Sequence, residues 1–238
     1  MKKIEIEYRF ELEGQQKDSY KVVLDPVMLQ STPASDTELP AWTELGFHQC
    51  PNCPLLVTAQ QSCCPAAANV ADLVTRFYGM LSYDKALVVV VTAERMAYNH
   101  TTMQKGICSL MGLLMATSGC PHTAFFKPMA RFHLPFASAE ETIWRATSIY
   151  LVAQFFRHQA GQTPDLQFEG LRHIYAQIQT VNQSFARRLR AATHHDSMVN
   201  AIILLDLFAQ SMPVAIEASL EEIRHLFVPY LNRIQFNN

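Results

Sequence analysis

Ile4-Glu5-Ile6-Glu7-Tyr8-Arg9-Phe10-Glu11-Leu12 alternates apolar and charged side chains without a break. A period of two sends successive side chains to opposite faces of a strand, so one face is destined for a core and the other for water. Gly14 to Asp18 supplies turn chemistry, and Tyr20 to Leu24 can return as the second arm of a hairpin. Asp25 to Pro40 holds three prolines among Ser, Thr and Asp and reads as a loop. Trp42 to His48 is expected to form a third strand. Ala86 to Val91 is a short apolar run that fits a central strand.

Helical spacing governs most of the rest. Ala66 to Leu81 places Val70, Leu73, Val74 and Phe77 on one stripe, and Thr101 to Ser118 does the same with Ile107, Leu110, Met111 and Leu114. Gly119 is positioned to end the second of these in a left-handed conformation. Cys120 to Ala137, with three prolines, is expected to be irregular. Ser138 with Glu141 spells a capping box, and Gly161 with Pro164 punctuates the far end of that helix. A long amphipathic helix is predicted from about Asp165 to Ala192, a buried one over Met198 to Phe208, and a last one capped by Ser219 and Glu222. The pattern predicts an α+β fold. An N-terminal antiparallel sheet with flanking helices (1–137, carrying the cysteines) precedes a C-terminal helical bundle (138–238), the two packed as one continuous domain.

Composition excludes several functions. The chain has 238 residues, 49% hydrophobic, with a formal net charge of −2. Such a balance creates no field for nucleic acid or an anionic membrane. The first residues lack the apolar region of a signal peptide, and the longest apolar stretches, Ala86 to Val91 and Cys108 to Ala116, fall short of a bilayer span. A cytoplasmic protein is expected, with a homodimer as the base-rate state. No GxGxxG, Walker, HExxH or GxSxG motif is present.

The chemistry concentrates in the cysteines. Cys50, Cys53, Cys64 and Cys120 each precede a proline, whereas Cys63 and Cys108 do not. Two cysteines separated by two residues present both thiolates to one ion from a single turn, and the following proline stiffens each loop. In a reducing compartment clustered cysteines point to metal or redox chemistry rather than disulfides. The expected ligands are therefore Cys50, Cys53, Cys64 and Cys120, holding structural zinc in a binding or regulatory module. An iron–sulfur cluster, metal-free redox thiols in an enzyme or sensor, and haem contact through a Cys-Pro dipeptide stay open as alternatives. His48, His122 and Cys63 stand as alternative ligands.

A second constellation, His122, Lys127, Arg131 and His133, lies amid aromatics and prolines; Lys127, Arg131 and His133 are a candidate anion-binding set, and the same side chains could instead pair with Glu140 and Glu141. Glu94, Arg95, Tyr98 and Gln104 follow the central strand but fit no named motif. Arg187, Arg188 and Arg190 near a helix end read as cations opposing the helix dipole. Asp206, within the buried helix, reads as a hydrogen-bond hub.

The segments FHQCPNCP, CPAA, SYDKALVVVVTAERMAY, GLLMATSGCPHT and KPMARFHLPF resemble an uncharacterised bacterial family, a domain of unknown function, from Trp42 to about Gln210. That resemblance implies no activity, cofactor or catalytic residue.

Overall fold

The computed structural model describes residues 2–12, 18–31, 38–58, 61–192 and 196–233. The alternating N-terminal stretch forms β1 (Ile4–Leu12) and the returning arm β2 (Asp18–Leu24), antiparallel with Tyr8 opposite Tyr20. Their turn lies, apart from Asp18, outside the described residues, as do residues 32–37 of the loop that follows. The apolar run becomes β3 (Lys85–Val91), paired antiparallel to β1, and β4 (Met96–Thr102) closes the order β2-β1-β3-β4. The fold is α+β, with this sheet followed by helices.

Two strand readings need correction. β4 was hidden because an edge strand exposed to water has no reason to alternate; Met96 and Tyr98 are both exposed. Trp42 to His48 is not a strand. Ala41–Thr43 is a 3-10 turn, and only Glu44 makes an isolated bridge, to Cys63.

Ile6, Tyr8, Phe10, Val22, Val88 and Val90 form the buried sheet face. Against it lie α1 (Pro65–Arg76) and α2 (Met103–Ala116), whose Val70, Leu73, Ile107 and Leu110 join the same core. α2 approaches closely at Gly106, where an added Cβ would stand 2.8 Å from both Phe10 and Val88 side-chain carbons. Gly119 adopts φ +89° and ends the segment after α2, as its position predicts.

The irregular segment contains a 3-10 turn, Thr123–Phe126, and a short α3 (Lys127–Arg131). α4 (Ala139–Gln159) starts on the expected capping box: Ser138 Oγ accepts from Glu141 N–H at 3.1 Å, and Glu141 Oε2 accepts from Ser138 N–H at 2.7 Å. α5 (Glu169–Ala192) begins later than predicted, because Asp165 caps it from outside by accepting from the Gly170 N–H at 2.8 Å. α6 (Asp196–Ile223) runs through Ser219 and Glu222, so no new helix starts there; a 3-10 turn and α7 (Val228–Arg233) follow. The helical stretch Ser197–Asn232 is long and apolar enough to cross a membrane by length and composition. Counting only unbroken apolar runs overlooks it, since scattered polar residues interrupt the run while its average hydropathy stays high. Its first half packs into the fold through Met198, Ala201, Ile202 and Met212.

One core joins the halves. Val181, Phe185, Leu189, Met198 and Ile202 from α5 and α6 belong to the cluster that contains the sheet face. A smaller cluster, with Ile143, Tyr175, Met212 and Ile216, holds α4, α5 and α6 together.

Candidate functional site

Three short structures converge where the sheet half meets α5. The Cys50–Pro51–Asn52–Cys53 turn closes through Cys53 N–H donating to the Cys50 carbonyl at 3.0 Å, with proline at the turn position that its ring favours. Cys64 caps α1 with Pro65 at the first helical position, a standard use of proline. Leu45 N–H to the Ser62 carbonyl and Cys64 N–H to the Thr43 carbonyl, both 2.8 Å, clamp Cys64 beside the 43–45 segment. Cys120 is buried in the turn after Gly119.

Polar contacts lock these pieces together. His122 Nε2–H donates to the Asn52 carbonyl at 2.7 Å, tying the Cys120 turn to the CxxC turn. The Asn52 amide donates in turn to Gln177 of α5, at 3.1 Å to its carbonyl and 2.8 Å to its side chain. The thiols are close enough to act on one another. Burial pushes Cys50 up to about 11, with Cys64, Cys120 and Cys53 adding to the rise. Cys64 is also raised by burial, with the Ala66 and Ala67 amides and Arg188 opposing the rise, although no cap hydrogen bond forms. Cys108 stands apart in α2, pushed up to about 12 by burial alone. Among the described residues no three His, Cys, Asp or Glu side chains stand as a ready set for one metal ion.

The alternative ligands are differently placed. His48 is exposed, at φ +47°, with its ring edge-on to Phe47. Cys63 has the Thr43 and Ser62 hydroxyls each 3.8 Å from its sulfur. His122 meets the site through Asn52 rather than through a thiol.

The sequence groups Arg188 with Arg187 and Arg190 as a cation opposing the helix dipole, but the structure gives it a different role. It is buried, and its guanidinium donates to the carbonyls of Trp42 at 2.6 Å, Glu44 at 2.7 Å and Leu45 at 3.4 Å, stacked near the Phe47 ring. The groups that act on it electrostatically are thiols: Cys64, Cys50, Cys53 and Cys63, in order of influence. Among the described residues no carboxylate pairs with it. The cue was its position in α5: it lies three residues after Phe185 and seven after Val181, on the stripe facing the core.

The arrangement sits inside a domain that the family comparison covers almost completely: residues 6–228 match DUF6901, a domain of unknown function. The chain belongs to the DUF6901 family. The match reaches well beyond Trp42 to Gln210 and includes β1 and β2. No curated protein and no solved structure matches the chain.

This DUF6901 chain also holds a cavity of about 570 Å³ between α2, the α3 segment and α4 to α6. His133 lines it, with Nε2 2.5 Å from the Tyr8 hydroxyl, which is itself 2.8 Å from Ser109 Oγ. Burial pulls His133 down to about 4, with Arg145 adding to the fall, so its ring is neutral at pH 7. Lys127 and Arg131 do not join it. The Lys127 ammonium donates to the Met28 carbonyl at 2.7 Å, and Arg131 lies over the Phe132 ring. Glu94, Arg95 and Tyr98 are exposed, and Gln104 is half-buried. Asp206 is half-buried too; its Oδ2 accepts from Gln210 at 2.7 Å while Oδ1 has no partner among the described residues.

Proposed function

We propose that Cys50, Cys53, Cys64 and Cys120 hold a single metal centre, structural zinc, and that the protein serves as a cytoplasmic binding or regulatory module organised by it. The observation that carries this reading is Arg188. A buried guanidinium without a carboxylate is costly unless something anionic compensates it, and its neighbours are thiols. Four thiolates around one divalent ion leave two negative charges, which a fixed guanidinium favours. The burial that keeps Cys50 protonated in the free protein is overcome on metal binding, since the ion displaces the thiol protons. The centre would lock the CxxC turn, the α1 cap and the Cys120 turn against α5, a structural rather than catalytic task.

Metal analysis of tag-free protein tests this reading. About one zinc per chain is expected, with Cys53→Ser and Cys120→Ser losing it and melting at lower temperature. Cys108→Ser should retain the metal whatever its effect on packing. Metal-free protein, or undiminished zinc in Cys53→Ser, would overturn the reading.

An iron–sulfur cluster is the second reading, favoured by spacing. Zinc bonds of about 2.3 Å draw tetrahedral sulfurs to roughly 3.8 Å from one another. A multi-iron cluster takes four thiolates set further apart, and these thiols lie within electrostatic range without forming a one-ion set. Anaerobic purification giving a brown protein with iron and acid-labile sulfide would favour it over zinc.

A further inference from the structure

The cavity lies apart from the four Cys-Pro thiols, with Cys108 the cysteine in its lining, and two of its polar groups lack protein partners among the described residues. Tyr175 and Asn182, seven residues apart on one face of α5, line it with only 3% of their surfaces exposed. Among the described residues neither the Tyr175 hydroxyl nor the Asn182 amide makes a hydrogen bond to protein. Both residues line the cavity and are not among the sealed unpartnered polar atoms, so water or a ligand that enters it supplies the partner. Arg145 of α4 lines the same space and acts electrostatically on the Tyr175 phenol. Its Nη2 donates to the carbonyls of Met129 and Phe132, both at 2.9 Å, which fixes the guanidinium and leaves Nη1 and Nε without a protein acceptor among the described residues. The carboxylate that acts on it electrostatically, Glu141, is engaged in the α4 capping box. One end of the cavity thus offers a cation and a phenol donor, with the Asn182 amide two turns along α5 and a neutral His133 on the wall. Leu205 and Phe208 typify its apolar wall, while Asn99, His100, Thr101, Lys105 and Ser109 add polar groups toward β4.

We propose that this cavity binds a small molecule with an apolar body and one carboxylate, the carboxylate seated on Arg145 and Tyr175 and the body between α2 and α6. The volume lies within the range of small-molecule sites, which are apolar with a few placed polar groups. A carboxylate fits the donors better than a neutral head because Arg145 presents a charge and a planar fork.

Calorimetric titration of the full-length chain with dodecanoate and with 2-naphthoate tests the site and separates a flexible chain from a flat ring. At least one should bind saturably at about one per chain, and dodecylammonium should not. Tyr175→Phe keeps the ring between Phe126 and Phe208 and should weaken binding about tenfold, the loss of one charge-assisted hydrogen bond. Leu205→Trp should abolish binding by filling the space, with circular dichroism confirming the fold. Absence of binding by both carboxylates up to millimolar concentration, equal binding of dodecylammonium, or full affinity in Tyr175→Phe would overturn the proposal. These outcomes do not depend on metal content, so the thiol-centre reading stands or falls separately.

Discussion

Arg188 and His133 are both polar side chains kept from water, and their environments set opposite demands. Arg188 satisfies three backbone carbonyls that the 42–45 segment would otherwise leave unpaired. Arg188→Met is therefore expected to cost on the order of 3 kcal/mol, from unsatisfied buried acceptors; urea titration would measure it, and a loss below about 1 kcal/mol would contradict the role given to these bonds. His133 has its folded pKa depressed to about 4, mainly by burial. The unfolded chain takes up this proton near the ordinary histidine value of 6.5, whereas the native chain resists until about pH 4. Stability thus declines as pH falls through that window and the loss levels off below it, amounting to on the order of 3 kcal/mol. His133→Gln should flatten the pH dependence between 6.5 and 4, where an unchanged slope would assign the effect to other groups.

At the scale of elements, α2 and α4 are each fixed by one small feature. α2 seats on the sheet only because Gly106 has no side chain: a methyl group there meets Phe10 and Val88 at 2.8 Å. Alanine normally favours a helix over glycine by about 1 kcal/mol. Overpacking costs about 1–3 kcal/mol, so Gly106→Ala is expected to be net destabilising; a raised melting temperature would mean that the sheet yields. α4 depends on its reciprocal cap, and Ser138→Ala should cost about 1 kcal/mol. A double variant with Glu141→Ala, which removes the acceptor of the Ser138 N–H, should lose less than the sum of the singles, since both side chains serve one cap.

Across the whole molecule, the shared core decides how the halves behave. Residues of β1, β3, α1 and α2 interleave with those of α5 and α6 in a single cluster. Unfolding of either half would expose the apolar face of the other. The two tryptophans report on the halves separately, Trp42 beside the thiol site and Trp144 on α4. Single-tryptophan variants should give coincident denaturation midpoints by fluorescence; midpoints that separate would show that α4 and its neighbours melt on their own. The α4 surface bears exposed Trp144, Val152, Phe155 and Phe156, so this half has the less self-sufficient burial and is the place where such a separation would first emerge.

Local chemistry made much of this legible in the sequence. Alternation in Ile4–Leu12 places β1, because period two has only one solution with a buried face. The Ser138 and Glu141 pair places the start of α4, because both partners of the cap lie within four residues. Proline at Pro51 and Pro65 marks the CxxC turn and the α1 cap for the same reason, since its backbone restriction acts on immediate neighbours. What tertiary structure alone decided is everything that depends on distant segments meeting. Cys120 comes beside Cys50 and Cys64 because α2 carries the chain back across the sheet. Arg188, which by local rules belongs at a solvated helix end, is buried because α5 docks on the 42–45 carbonyls. Lys127 and Arg131 part from His133 because α3 turns them to other faces. The cavity has no local signature at all: its lining from α2, α4, α5, α6 and the end of β4 comes together only once these elements have packed, and packing between helices is set by side-chain complementarity across hundreds of atoms rather than by any spacing along the chain.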